Sequence, residues 1–314
     1  MNKRVSSRSA KLLILLAAFS LLSAACGSSD DSDNAGSGST TASTVAGPAI
    51  KIRGQDFSES ATIAQVYGQY LRAKGFEVDI LTPAGFRTEA ITALKSGDVN
   101  LIVDYIGGDA TALVPDTKVT AEPDQVVGVI EPAFAAIGMT VLDYSEAVDG
   151  DAFVVRGDSP ATKISDVKNL DYVLGASPQC ETRPQCYIGF TDAAIYGITF
   201  KDYKKIDFGP QLGEALSAKE VDAVMWNNTA PQIKQKGFKI LEDDKRLFPA
   251  QNIAPIVATS VNSAYGNKLA DALNTLSDAI TTDDLVAWNV ETDVQFRESD
   301  QVATDWLKKK GLTS

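Results

Sequence analysis

The stretch Ala93 to Val103 reads ALKSGDVNLIV and recurs without gaps as Ala215 to Met225, which reads ALSAKEVDAVM. Both copies are typical of the end of a helix, a tight turn and a buried strand. Polar or aromatic clusters follow the two strands: Asp104, Tyr105, Gly107 and Gly108 after the first, and Trp226, Asn227, Asn228 and Thr229 after the second. Ligands of open α/β sheets bind beyond the carboxyl ends of the strands. The repeat therefore predicts two sheets whose strand ends form opposite walls of one cleft, although helix–turn–strand units resemble one another in many α/β proteins.

The pattern around the first copy extends this interpretation. Residues 50–53 alternate like a strand, and Ser58 is expected to cap a helix over residues 59–74 that ends at Gly75. A strand over 76–81, a helix from the cap Thr88 to Leu94 and a strand over 99–106 follow. Such alternation predicts an α/β fold with an open, mostly parallel sheet and helices on both faces.

Two segments are predicted to cross between the lobes. Residues 152–155 follow a flexible Asp-Gly-Asp turn and lead into the second lobe, and residues 253–259 lead back. We therefore assign residues 48–152 and 255–314 to lobe 1, which includes three C-terminal helices, and residues 153–254 to lobe 2. Two crossing strands make a hinge that can close the cleft.

The first 25 residues are typical of an export signal. Four basic residues and no acid precede an apolar run, Leu12 to Ala25, that is shorter than the roughly 20 residues needed to cross a bilayer. Cys26 follows small residues, as in a bacterial lipoprotein signal whose cysteine is lipidated, although Ser23 stands where that signal favours leucine. The alternative is an ordinary secretory signal with a chance cysteine. Residues 27–47 are rich in Gly and Ser, and we expect a flexible linker spanning about 25 Å.

Composition narrows the function. Without residues 1–25 the formal net charge falls from −12 to −16, which argues against nucleic acid as a partner. The chain contains no histidine, so neither a Ser-His-Asp triad nor the commonest metal ligand is present. We therefore predict no enzymatic activity, no metal and no cofactor. About 265 residues after the linker are enough for two lobes.

Two cysteines remain in the body of the chain. Cys180 and Cys186 lie close together in SPQCETRPQC, with prolines around them. In an oxidising exterior this spacing favours a loop disulfide, because a metal site would need two further soft ligands nearby.

Five segments, in order, resemble the substrate-binding lipoproteins of ABC importers for glycine betaine, carnitine, choline and related osmoprotectants. They are IRGQDFSESATIAQVYGQYL (52–71), ALKSGDVNLIVDYIGG (93–108), LGASPQCETRP (174–184), ILEDDKRLFPAQNIAPIV (240–257) and WNVETDVQFRESDQVATDWLKKKGL (288–312). The resemblance implies a two-lobed α/β fold of the periplasmic-binding-protein type (type II) and a small-molecule solute held between the lobes. It also implies a permease with its ATPase as partners, a lipid anchor, an extracytoplasmic location at the cell membrane or in the periplasm, and a monomer.

In that family an aromatic cage holds a quaternary ammonium group, since the faces of aromatic rings attract a cation. The resemblance places Tyr105 and Trp226 at two cage positions, whereas the other two rings fall near Asp151-Ala152 and Ala250-Gln251. Arg183 matches a ligand-facing arginine, but a family lysine is Gln55 and a family threonine is Gly108. The predicted ligand-binding residues are Gln55, Asp56, Tyr105, Gly108, Asp151, Arg183, Trp226, Asn227 and Gln251.

Several functional hypotheses remain open at this point. The first is a binding protein for a betaine- or choline-like solute, in which Asp151 meets a cation, or for a more polar zwitterion bound by Gln55, Asn227, Gln251 and Arg183. The second is a ligand sensor on the same scaffold. The third is an exported enzyme, for which Asp56, Asp104 and Asp151 are candidate acids or bases, but it is disfavoured because no nucleophile–base spacing stands out.

Overall fold

The computed structural model describes residues 44–115, 117 and 120–314. The predicted signal, the lipidation site Cys26 and residues 27–43 of the predicted linker lie outside the described residues. Within the described ranges, no helix has both the length and the apolar character needed to cross a bilayer.

The described chain alternates strands and helices over most of its length. The strands are β1 (Ile50–Arg53), β2 (Val78–Leu81), β3 (Leu101–Tyr105), β4 (Met139–Val141), β5 (Asp151–Val155), β6 (Val173–Ala176), β7 (Asp202–Lys205), β8 (Ala223–Asn227), β9 (Lys239–Ile240) and β10 (Ile253–Ala258). The helices are α1 (Ser58–Ala73), α2 (Arg87–Ser96), α3 (Ile106–Leu113), α4 (Pro123–Ala135), α5 (Gly189–Thr191), α6 (Pro210–Ser217), α7 (Pro231–Gln235), α8 (Thr259–Ala264), α9 (Asn267–Ala279), α10 (Thr282–Asn289) and α11 (Ser299–Lys309). Short 3₁₀ or π turns cover Ile164–Asn169, Pro178–Thr182, Pro184–Ile188 and Val290–Val294.

The strands form two five-stranded sheets of the same topology. The first has the order β2-β1-β3-β10-β4 and the second the order β7-β6-β8-β5-β9. In each sheet three strands are parallel, and one crossing strand, β10 or β5, pairs antiparallel to its neighbours. The two-lobed α/β fold expected from the sequence is confirmed. We call the first sheet and its helices lobe 1, and the second lobe 2; the boundaries at residues 152/153 and 254/255 stay a prediction.

The repeated stretch folds in the same way in both lobes. It forms the end of α2 and β3 in lobe 1, and the end of α6 and β8 in lobe 2. The turn residue is left-handed in both copies, with φ of 78° at Gly97 and 60° at Lys219. Asn100 Oδ1 accepts a hydrogen bond from Lys51 N (2.7 Å), and Asp222 Oδ2 accepts one from Val173 N (3.0 Å). The two equivalent side chains therefore attach each turn to the start of the neighbouring strand.

The two crossings meet where the chain passes between the lobes. Val148 and Asn252, one on each crossing, form an isolated antiparallel bridge. Asp149 N donates to Gln251 O (3.3 Å), and Gly150 N donates to Asn228 Oδ1 (2.8 Å). Since only a few main-chain residues link the lobes here, this segment can act as a hinge.

Hydrophobic cores stabilise each lobe. The core of lobe 1 contains the apolar sides of α1 and of the C-terminal helices α9, α10 and α11, and Trp288 meets Trp306 edge to face with ring centroids 5.1 Å apart. Lobe 2 has one core on each face of its sheet. The predicted disulfide is present, with the Cα atoms of Cys180 and Cys186 5.3 Å apart, and both half-cystines are 1% exposed in one of these cores.

Both predicted helix caps are wrong by one or two residues. Helix α1 begins at Ser58 itself, after the cap residue Phe57, and no side chain caps it. Helix α2 begins at Arg87 after the cap residue Phe86, whose backbone N–H donates to the Glu89 carboxylate (3.0 Å). Helix α2 therefore starts two residues earlier than predicted, and the Glu89 side chain satisfies the backbone N–H of its cap residue.

Candidate functional site

The carboxyl end of β3 carries a buried carboxylate that gathers polar side chains. Asp104 Oδ1 accepts hydrogen bonds from Gln55 Nε2 (2.9 Å), Arg87 Nη2 (2.9 Å) and the Tyr105 backbone N–H (2.8 Å). The donors come from the β1–α1 loop, from the start of α2 and from β3 itself. Parallel strand ends thus bring three separate segments to one carboxylate, as expected for this edge of an open sheet.

A second buried carboxylate shares the same arginine. Asp109, in the first turn of α3, lies with one oxygen 3.4 Å from Arg87 Nε. Neither of its oxygens has a hydrogen-bonding partner among the described residues. Burial and the Asp104 carboxylate raise the pKa of Asp109 well above its usual value, and Arg87 only partly opposes this. This part of the lobe 1 wall therefore holds its charges in an internal cluster of one guanidinium and two carboxyl groups.

Tyr105 connects this cluster to a third acid. Its hydroxyl donates to Glu59 Oε1 (2.5 Å), and Asn289 Nδ2 donates to Glu59 Oε2 (2.5 Å). Burial, followed by the nearby Asp149 carboxylate, raises the pKa of Glu59 to about 8. Asn289 Nδ2 also lies 3.4 Å from the carbonyl oxygen of Thr229 in lobe 2.

The network ends in lobe 2 through the crossing segment. Asp149 Oδ1 accepts hydrogen bonds from Thr229 Oγ1 (2.7 Å) and Asn227 Nδ2 (3.0 Å), both at the end of β8. Burial raises the pKa of Asp149, although these two donors oppose the rise. Hydrogen bonds therefore run from the Asp104 cluster through Tyr105, Glu59 and Asn289 to Thr229 after β8, whose hydroxyl in turn donates to Asp149 on the crossing. A change in lobe orientation has to break or rearrange this path.

The lobe 2 wall carries a partly exposed ion pair, whereas the charges of the lobe 1 wall are buried. Arg183, beside the cystine, forms an ion pair with Asp151 at the start of β5. The Arg183 side chain is 43% exposed and that of Asp151 is 20% exposed. Burial raises the pKa of Asp151, and Arg183 opposes the rise. This pair is accessible to solvent and can exchange partners with a charged ligand.

Two further predicted residues meet at the start of α3. Gln251 Oε1 accepts a hydrogen bond from Gly108 N (3.0 Å). A Cβ atom at Gly108 would lie 2.3 Å from Cζ of Arg87, so only glycine leaves room for the guanidinium. The same guanidinium lies over the ring of Tyr105, with Cζ 6.0 Å from the ring centroid. The face of the predicted cage tyrosine thus already has a cation of the protein near it.

A cavity of about 410 Å³ opens between the lobes beside this network. It is lined by Phe208, Gly209, Pro210, Trp226, Asn227, Ala230, Pro231, Gln232, Gln235, Asn289, Asp293, Val294 and Phe296. Trp226 is 4% exposed and packs beneath α6, where a Cβ atom at Gly213 would lie 2.9 Å from its ring. The volume falls within the range of small-molecule sites.

The structure groups the predicted residues unequally. Gln55, Tyr105 and Asn227 belong to the continuous network. Trp226 lines the cavity together with Asn227. Gly108 is hydrogen-bonded to Gln251, and Asp151 forms an ion pair with Arg183. Asp56 lies on the surface, and its backbone N–H donates to Gly85 O (2.8 Å). The sequence interpretation missed Glu59, Arg87, Asp149, Asn289, Phe208 and Phe296 as site residues. Thr229 had a signal, since it follows the second copy of the repeat, whereas Glu59 and Arg87 look like ordinary charges in the first turn of a helix.

Comparison with known proteins agrees with this architecture. The model of one protein family, described as the substrate-binding domain of ABC-type glycine betaine transport systems, matches residues 48–309. A carnitine transport binding protein of Listeria monocytogenes is 24% identical over 270 residues, covering 83% of this chain and 86% of that protein. A glycine-betaine-binding protein of Pseudomonas aeruginosa is 22% identical over 281 residues, covering 84% and 88%. A crystal structure of a glycine betaine/carnitine/choline ABC transporter protein superposes with a TM-score of 0.76 at 24% identity, covering 84% of this chain and 99% of that one.

Proposed function

Since this chain belongs to the family of substrate-binding domains of ABC-type glycine betaine transport systems, we propose that it captures a small zwitterionic or quaternary-ammonium solute between its lobes. It then presents this solute to an ABC permease and its ATPase. The family consists of substrate-binding domains of transporters rather than of enzymes, and the proposed role needs no covalent chemistry. The observation that carries the proposal is the hydrogen-bonded network that joins the strand ends of both lobes through Glu59, Asn289 and Thr229, next to the Asp149 crossing.

Lobe closure is the step that couples binding to transport. A ligand that contacts both walls stabilises the closed arrangement, and the permease can select that arrangement. The crossings at residues 148–150 and 251–252 are the hinge, because they are the only segments where strands pass from one described lobe to the other. The network at Glu59 and Asp149 then determines how much free energy a change of lobe orientation costs.

The two walls favour different parts of a betaine-like solute. A ligand carboxylate can take the place of Asp151 on the exposed guanidinium of Arg183 as a charge-assisted hydrogen-bond partner. The Asp151 carboxylate set free in this way can meet the ligand cation. Carnitine and glycine betaine, which the names of the two relatives give, are therefore the first candidates, with choline as the cation that lacks a carboxylate.

Substrate-binding proteins of ABC importers act outside the cytoplasm, and we propose in addition that Cys26 anchors this chain to the membrane as a monomer. The basic, apolar and small-residue segments before Cys26 support this anchor. In bacteria that express the full chain, radioactive palmitate should label the wild-type protein. The Cys26→Ser variant should not be labelled. Labelling that persists in the variant would rule the anchor out.

Calorimetric titration of the body of the chain tests the binding function. The panel is glycine betaine, carnitine, proline betaine, choline, ectoine and free amino acids. A transported solute should bind with micromolar affinity, and a millimolar concentration should then raise the apparent stability by about 4 kcal/mol. Arg183→Gln should weaken the carboxylate-bearing ligands at least tenfold and leave choline within twofold. Arg72→Gln is the matched control, since Arg72 is exposed and its side chain donates to Val78 O (2.9 Å) within lobe 1, outside the network.

The proposal fails if a folded, monodisperse sample binds none of these solutes, or if it converts any of them into a product. The choice of Arg183 as carboxylate partner fails separately, if Arg183→Gln and Arg72→Gln bind glycine betaine equally well.

A further inference from the structure

Two carboxyl groups lie at the junction of the lobes, and no Lys or Arg of the described residues forms an ion pair with either. Glu59, near the start of α1, is 4% exposed, and its two oxygens accept hydrogen bonds from uncharged donors, Tyr105 and Asn289. Asp149, on the crossing, accepts from the Thr229 hydroxyl and from an asparagine amide. A buried carboxylate without an opposite charge is costly, and binding a proton removes that cost.

The charges around this pair add to the cost of ionising it. Asp149 itself is the carboxylate that acts on Glu59, and Asp151 adds a further negative charge beside Asp149. The guanidinium of Arg87 contacts Asp104 (2.9 Å) rather than either member of the pair. The titratable groups that face the pair come from β3, α2, β5 and the cystine loop: Tyr105, Asp104, Arg87, Asp151 and Arg183.

The surroundings of the pair change when the lobes change orientation. Glu59 and Asn289 belong to lobe 1, Asp149 to the hinge and Thr229 to lobe 2. Asn289 Nδ2 lies 3.4 Å from Thr229 O, and Asn289 also lines the cavity between the lobes. Parting the lobes takes Thr229 away from Asn289 and admits water at this point.

Water at the junction weakens the hold on a proton. Burial is the largest cause that raises the pKa of Glu59 to about 8, and burial also raises the pKa of Asp149. When the lobes part, both pKa values therefore fall towards those of ordinary carboxyl groups. When the lobes close, the pair is desolvated again and its affinity for a proton increases.

We propose that the protein takes up a proton from the solvent at the Glu59–Asp149 pair when its lobes close on a solute, so that the proton is a second ligand of the closed arrangement. This inference rests on the proposed function and adds a coupling between solute capture and external pH. The closed arrangement holds the proton more tightly than the open one. By linkage, a low pH favours capture, and a rise in pH through about 8 favours release.

Calorimetric titration in buffers of different ionisation enthalpy counts the protons taken up on binding. The probes are glycine betaine, carnitine, proline betaine and choline, since none of them has a group that titrates near pH 7.5. At that pH the wild-type protein should take up roughly 0.5 proton or more per bound solute. Glu59→Gln, which is neutral at every pH, should take up at least threefold less. The exposed Glu77 provides the matched control Glu77→Gln, which should behave like the wild type.

The pH profile of affinity is the second measurement. From pH 6 to pH 9 the Kd of the wild type for the same solute should rise about tenfold. The Kd of Glu59→Gln should change less than twofold over this range. Asp149→Asn removes the neighbouring negative charge and should move the midpoint of the profile to a lower pH. If Glu59 only supported the fold, Glu59→Gln would change the affinity by one factor at every pH and leave the proton count unchanged.

The possible failures are distinguishable. If a solute binds and the wild type and Glu59→Gln take up equal numbers of protons, the proton coupling is wrong while the binding function stands. An affinity that increases with pH would also overturn the coupling. If only an amino acid of the wider panel binds, the difference between the two proteins still gives the protons taken up by the pair. If the folded wild type binds no solute of the panel, both proposals are overturned.

Discussion

Asp104 and Trp226 occupy equivalent places in the two copies of the repeat, yet they give the two walls of the cleft opposite characters. Asp104 is a buried carboxylate that Gln55 and Arg87 contact, whereas Trp226 fills an apolar space beneath α6. The same backbone topology therefore supports a buried, hydrogen-bonded charge at the strand end of lobe 1 and a buried aromatic ring at the equivalent place in lobe 2. The comparison shows that topology places a side chain at the strand end, and that its neighbours decide whether it is a hydrogen-bonded charge or part of an apolar core.

The charges of the two walls differ in their freedom. Arg87 of lobe 1 lies between two carboxylates that are fully buried, and its side chain is 27% exposed. Arg183 of lobe 2 has one partner, Asp151, and is the more exposed of the two arginines. We infer that Arg87 stabilises the fold and that Arg183 is free to bind a ligand.

The largest expected effect comes from removing the lobe 1 arginine. Arg87→Met leaves the Asp104 carboxylate buried without its cation, and breaking a buried ion pair in this way costs about 3–5 kcal/mol. Arg183→Met removes a pair near the surface and should cost about 0–1 kcal/mol. Urea denaturation of both variants without ligand measures the two losses. Equal losses of stability in the two variants would contradict the inference that Arg87 stabilises the fold more than Arg183 does.

The second effect is a pH dependence that originates in lobe 1. The pKa of Glu59 rises from about 4.5 in the unfolded chain to about 8 in the folded protein, so the folded protein binds the extra proton between these values. Its contribution to stability is therefore complete below about pH 4.5 and is lost as the pH rises through about 8. Glu59→Gln, which keeps a neutral side chain at every pH, should be more stable than the wild type at pH 8.5, by up to a few kcal/mol.

Thermal unfolding of the wild type and Glu59→Gln from pH 5 to pH 9 measures this difference. The two melting curves should be closest at pH 5 and should diverge by several degrees towards pH 9. Part of the slope should persist in the variant, because burial also raises the pKa of Asp109 and Asp149. The exposed Glu77 provides the control Glu77→Gln, which should follow the wild type. A constant offset between the wild type and Glu59→Gln across this range would contradict the assignment.

The smallest effect concerns the support of the lobe 2 wall. Replacing Cys180 and Cys186 together by alanine removes a short closed loop, for which the chain-entropy model gives about 2 kcal/mol. Because the cystine lies beside Arg183, affinity for carboxylate-bearing ligands should also fall. Reduced wild-type protein is the matched control and should lose the same stability in a thermal melt. If the reductant also lowers the melting temperature of the double alanine variant, the loss of stability in the reduced wild type does not come from the disulfide.

The sequence interpretation succeeded where a local pattern has only one compatible structure. The repeated helix end, turn and strand predicted both β3 and β8, and the close cysteine pair predicted the disulfide, which is present. It failed at the helix caps, because α1 and α2 each begin after a phenylalanine that offers no cap hydroxyl, one and two residues before the predicted caps Ser58 and Thr88. It also missed Glu59, whose partners Tyr105, Asn289 and Asp149 come from three distant parts of the chain.

The sequence by itself determined the two-lobed α/β architecture, the family and the strand ends at which a solute would be met. The architecture and the strand ends follow from periodicity and from local turn chemistry, which act over a few residues, whereas the family follows from the resemblance of five segments in order. Only the tertiary structure decided that Arg87 is held between two buried carboxylates, that Glu59 favours its protonated form, and that Phe208 and Phe296 face one cavity. Those properties depend on burial and on the distance between groups far apart in the chain, and neither quantity is written in any short segment.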